Sequence, residues 1–181
     1  MYGFIMRTIA VALLALIGIL SAHAQTPQAP APAASLLENI TLEARGHGPC
    51  EKTTIVKPVA GPDANSPAVQ VTIPDNTEGK KYRVNAKGVV AGAIAADKPV
   101  TLTFMARSPG NNKTLVMVHT GTNPDRVKLI SDTQLTPEWK AYKIKGVKPE
   151  AFAAGEACVD FMMGEKAGVI EISKVQVTVG Q

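Results

Sequence analysis

Strict two-residue alternation constrains this chain more than any other feature. In "VTLTFMAR", Val100, Leu102, Phe104 and Ala106 alternate with Thr101, Thr103, Met105 and Arg107. Successive side chains of a strand point to opposite faces, so the run predicts a half-buried strand. The pattern recurs. "AVQVTI" sets Val69, Val71 and Ile73 against Gln70 and Thr72, and "ACVDFMMG" sets Ala157, Val159, Phe161 and Met163 against Cys158, Asp160 and Met162. In "VIEISKVQVTV", Ile170 and Ile172 share one phase while Val175, Val177 and Val179 take the other. That change of phase predicts a bulge near Ser173 and Lys174. Stretches such as "AGPDANSP", "SPGNNK" and "EKAG" separate the runs and favour chain reversal. Together they predict an all-β fold, an antiparallel sandwich or barrel.

The N-terminal part reads differently. Arg7 precedes an apolar run from Ile9 to Leu20, and "SAHA" follows. The run is shorter than the roughly 20 residues of a membrane span. It reads as a signal peptide, residues 1–24, cut after Ala24. Residues 25–35, "QTPQAPAPAAS", read as an extended Pro/Ala-rich linker. Residues 36–181 then form one domain, long enough to bury roughly 70% of its unfolded surface. The expected destination is secreted or periplasmic, with no membrane span after signal cleavage.

Composition removes several function classes. The net charge of +4 comes from scattered lysines and arginines without interleaved aromatics, so no nucleic-acid partner is expected. There are two cysteines, Cys50 and Cys158. Outside the cytoplasm such a pair predicts a disulfide, worth about 4–5 kcal/mol in the chain-entropy picture; free or intermolecular thiols are the alternative. His47 stands three residues before Cys50, but two ligands do not make a zinc site. No G-x-S-x-G elbow and no phosphate loop is present. Asp160 and Glu171 lie on late strands and are the one carboxylate pair that suggests a glycosidase. The expectation is a protein that is not an enzyme and carries no cofactor.

Five stretches in order resemble the CenC-type carbohydrate-binding modules. "LLENITLE" is similar to that family's "LLxNPGFE" start, "KPVTLTFMARS" to its "YTLSFWAKA" strand, and "LTPEWKAYKIKG" to "LTTEWKRYTFTF". "TLVMVHTGTNP" stands where the family has another strand, and "ACVDFMMGEKAGVIEISKVQV" resembles "VRFLLGGAAGTVYIDDVSL". The resemblance implies a galactose-binding-like jelly roll, an antiparallel β-sandwich, that recognises a glycan on its concave sheet face. It also implies a structural calcium held by Glu43 and an acid of the last motif. Here Ser173 and Lys174 replace the family's two aspartates, so Glu43 alone is left as a metal ligand. Met105 stands where the family often has an aromatic.

The ligand-binding candidates are outward strand residues: Gln70, Asn85, Met105, Arg107, His119 and Asp160, with Tyr82 as a stacking ring. Arg107 offers several donors to hydroxyls or uronate carboxylates. An acidic polysaccharide suits the basic balance. An envelope protein is the alternative partner if the sugar face has been lost. Trp139, the single tryptophan, is either a sugar platform or a structural residue.

Overall fold

The computed structural model describes residues 35–120 and 126–180. The leader, and the linker up to residue 34, lie outside the described residues. Strands in chain order are β1 (Ser35–Asn39), β2 (Glu43–Gly46), β3 (Ile55–Ala60), β4 (Pro67–Ile73), β5 (Val84–Val89), β6 (Val100–Arg107), β7 (Lys113–Thr120), β8 (Val127–Gln134), β9 (Lys140–Gly146), β10 (Ala157–Met162) and β11 (Gly168–Val179). Single 3-10 turns occupy Gly48–Cys50, Asp75–Thr77 and Lys81–Arg83. No helix among the described residues is long and apolar enough to cross a membrane.

The strands form two antiparallel sheets. One runs β3-β4-β11-β6-β9, with β1 also on β11; the other runs β2-β5-β10-β7-β8. This is an antiparallel β-sandwich of jelly-roll type. The inward residues of β6, namely Val100, Leu102, Phe104 and Ala106, are at most 2% exposed. Phe104 stacks on Tyr142 of β9 at 5.1 Å and meets Phe161 of β10 edge-on at 5.0 Å. The second contact crosses between the sheets. Such pairs contribute about 0.5–1.5 kcal/mol beyond their buried area.

The expected bulge is present. Ser173 faces Met105 and Gln176 faces Thr103, so β11 carries one residue more than β6 over this step. Lys174 absorbs it with φ +50. Before the bulge β11 pairs with β4, and after it with β1. A crevice of about 660 Å³ opens at this change of partner, lined by Ile40, Leu42, Pro58, Val69, Ile172 and Val175 among others.

The expected disulfide is corrected. Cys50 and Cys158 are both free and buried. Cys50 belongs to the hydrophobic core and lies against Asn76. Cys158 alternates with Ala157 and Val159, which fill that core, so its sulfur points to the other side of the sheet. A bridge would require β10 to turn over and expose its apolar side.

Candidate functional site

On the outer side of the five-stranded sheet, cross-strand pairing lines up three rows. Arg45, Asn85, Met162, Leu115 and Asp132 form the first. Glu43, Lys87, Asp160, Met117 and Ile130 form the second. Val89, Cys158 and His119 form the third. A solvent-facing sheet surface is normally polar, yet Val89 and Ile130 are 60% and 51% exposed here. The central residues Asn85, His119, Asp160 and Cys158 are buried, so β10 is covered on both faces.

A hydrogen-bond chain joins these central residues. His47 Nε2 donates to Asn85 Oδ1 at 3.0 Å, and Asn85 Nδ2 donates to Asp160 Oδ1 at 3.2 Å. His119 Nε2 lies 3.4 Å from Asp160 Oδ2, and its Nδ1 lies 2.6 Å from the Thr120 carbonyl oxygen. Both ring nitrogens face oxygen acceptors, and Nε2 also lies 3.5 Å from the Cys158 sulfur, surroundings that favour the doubly protonated ring. Burial opposes that charge, but the Asp160 carboxylate and the Cys158 sulfur outweigh it and raise the His119 pKa to about 9. The Cys158 thiol donates to the His119 carbonyl oxygen at 3.4 Å. Thiol, imidazole and carboxylate are therefore adjacent, and all three are buried. The hydrogen bonds of the cluster tie β5, β7 and β10, and His47 just past the end of β2, together through their side chains.

The outer side of the six-stranded sheet carries a different row. Lys57, Gln70, Glu171 and Arg107 lie side by side on β3, β4, β11 and β6. Gln70 Nε2 donates to Glu171 Oε1 and Arg107 Nε donates to Oε2, each at 2.5 Å. Ala106 pairs with Lys140, which places Trp139 next in the row. The Arg107 guanidinium sits 5.1 Å from the Trp139 ring centre. Trp139 is half-buried outside the core, and its neighbours Tyr142 and Ile144 face inward. It is a platform for an arginine.

The sequence-derived candidates thus divide. Asn85, His119 and Asp160 come together on one sheet; Gln70, Met105 and Arg107 share the other. Tyr82 stands on the Lys81–Arg83 turn, 53% exposed, with the Arg83 guanidinium 5.6 Å from its ring. Glu43 lies opposite Lys87 on β5. Ser173 Oγ donates to the Pro67 carbonyl oxygen and Lys174 pairs with Asp63, so both positions of the last motif are engaged. Among the described residues no three His, Cys, Asp or Glu side chains gather as a metal site. Asp160 and Glu171 point outward from opposite sheets and cannot flank one glycosidic bond.

Sequence reasoning missed the role of His47, and it missed Lys128 altogether. Lys128 is fully buried, and its Nζ donates to the carbonyl oxygens of Lys148 at 2.5 Å, Glu150 at 2.8 Å and Ala95 at 3.2 Å. It occupies the irregular step between β7 and β8, where Val118 faces Leu129 but His119 faces Val127. A lysine inside an otherwise alternating strand was the available signal.

No protein-family model matches the chain, and no curated protein matches it. Solved structures do match. The N-terminal cellulose-binding domain of Cellulomonas fimi β-1,4-glucanase C is 17% identical with a TM-score of 0.58, over 80% of this chain and 96% of that one. A family 4 carbohydrate-binding module is 15% identical with a TM-score of 0.56, over 76% and 94%. An arabinose-bound α-L-arabinofuranosidase is 16% identical with a TM-score of 0.54; 81% of this chain matches, but only 26% of the enzyme. The described residues therefore have the β-sandwich fold of the carbohydrate-binding modules.

Proposed function

We propose that the chain is a secreted or periplasmic, non-catalytic module that binds a poly- or oligosaccharide weakly on the outer side of the five-stranded sheet. The observation that carries this reading is the pairing of two exposed apolar residues, Val89 and Ile130, with a locked polar floor of Asn85, His119 and Asp160. Exposed apolar side chains on a sheet surface suit the CH faces of sugar rings, and the fixed polar groups between Val89 on β5 and Ile130 on β8 hold this face in one shape. The shared fold adds support, since one matching structure is a cellulose-binding domain. The leader-like N-terminal stretch supports the destination.

Native gels containing hydroxyethylcellulose, xylan or galactan test the reading. At least one polymer should retard the protein, and Val89→Asp with Ile130→Asp should abolish the retardation without lowering the unfolding midpoint. Wild-type protein that migrates freely in every gel would overturn it. A second reading, a protein-contact module, is favoured by one observation: Trp139 and Tyr82 each lie against an arginine. Pull-down of one envelope protein, lost in the same double variant, would select that reading.

A further inference from the structure

The outer side of the six-stranded sheet carries a charge imbalance that the proposed glycan face does not use. Glu171 is the one acid that β3, β4, β6, β9 and β11 turn to this side, and Gln70 and Arg107 already hold both its oxygens. The cations are Lys57, Arg107, Lys143 and Lys145. Lys143 faces Thr103 and Lys145 faces Thr101 on the neighbouring strand. Beyond them lie Gln176 and Thr178 of β11, so no carboxylate stands in either row. Lys143 and Lys145 are exposed.

Arg107 is also held in place. Glu171 takes its Nε, the Trp139 ring centre lies 5.1 Å from its guanidinium carbon, and the side chain remains 37% exposed. A guanidinium fixed by its Nε keeps its terminal donors for a bidentate carboxylate. Six residues of strand separate Arg107 from the Thr101 row, so the cations form a track about 20 Å long.

We propose that this track, along β6 and β9, docks an extended anionic polysaccharide through its carboxylates. Arg107 takes one carboxylate as a fork, Lys143 and Lys145 take others as point charges, and Thr101 and Thr103 meet sugar hydroxyls. Single-stranded nucleic acid fits less well, because its binding rests on open aromatic faces. Here Trp139 is occupied by Arg107, and Tyr142 stacks inward on Phe104. A lipid surface fits less well, because these rows present threonine, glutamine and lysine rather than an apolar face.

Equilibrium binding of the purified protein to immobilised polygalacturonate tests the proposal, with its fully methyl-esterified form as the neutral comparison. The acid form should bind and the ester should not, and raising the salt should weaken binding. Lys143→Glu with Lys145→Glu, or the milder Lys143→Gln with Lys145→Gln, should lower affinity at least about tenfold, whereas Lys52→Glu with Lys113→Glu, an equal charge change elsewhere, should not. Val89→Asp with Ile130→Asp should leave this binding intact, which separates it from the proposed glycan face. Four results would overturn the proposal: no binding to polygalacturonate, equal binding to the ester, equal loss in the control double variant, or tighter binding to DNA or to phosphatidylglycerol vesicles.

Discussion

Lys128 shows what a single buried cation does in this sandwich. Its ammonium group satisfies three carbonyl oxygens of the segments beside β8. Burial lowers its pKa. Lys128→Met keeps the stem but leaves three acceptors dry, and it should destabilise the fold by about 2–4 kcal/mol in urea unfolding. His119 makes a pH-dependent contribution. Its folded pKa of about 9 lies above the unfolded value near 6.5. The extra stability is complete below about pH 6.5 and is lost as pH rises through about 9. Unfolding free energy should fall by roughly 1–3 kcal/mol across that window, and His119→Gln should flatten the profile.

At the scale of the strand, the sequence was most informative where alternation was cleanest. The two faces of β6 and the bulge at Ser173 and Lys174 were both legible, because side-chain parity is a local property. The site was less legible. Asp160 and Glu171 sit on consecutive strands, yet β10 and β11 belong to different sheets. Strand order depends on long-range pairing, and parity carries no record of it. The disulfide failed for a related reason: alternation already set Cys158 against its core neighbours, but nothing local placed Cys50 in the core. The bulge itself has a testable cost. A β-branched residue is poorly tolerated at positive φ. Lys174→Val should lose about 1–2 kcal/mol relative to Lys174→Gly, read from thermal unfolding midpoints.

For the whole molecule, stability rests on the core and not on a covalent clasp. Two free, buried thiols should resist Ellman's reagent in the folded protein and react with a stoichiometry of two once it is denatured. The unfolding midpoint should be the same with and without reductant. Each sheet exposes its own chemistry: one side sets Val89 and Ile130 among charged residues over a buried polar floor, the other presents a line of cations. The pairing of β1 with β11 has a mechanical consequence. Ser35 faces Val179, and the two strands run antiparallel. Tension applied between those two points would peel the ladder apart one rung at a time, beginning at the loaded end, rather than shearing all its rungs together. The domain would resist pulling poorly along that axis, and it would give way first at β1 while the bulged half of β11 stayed zipped to β4.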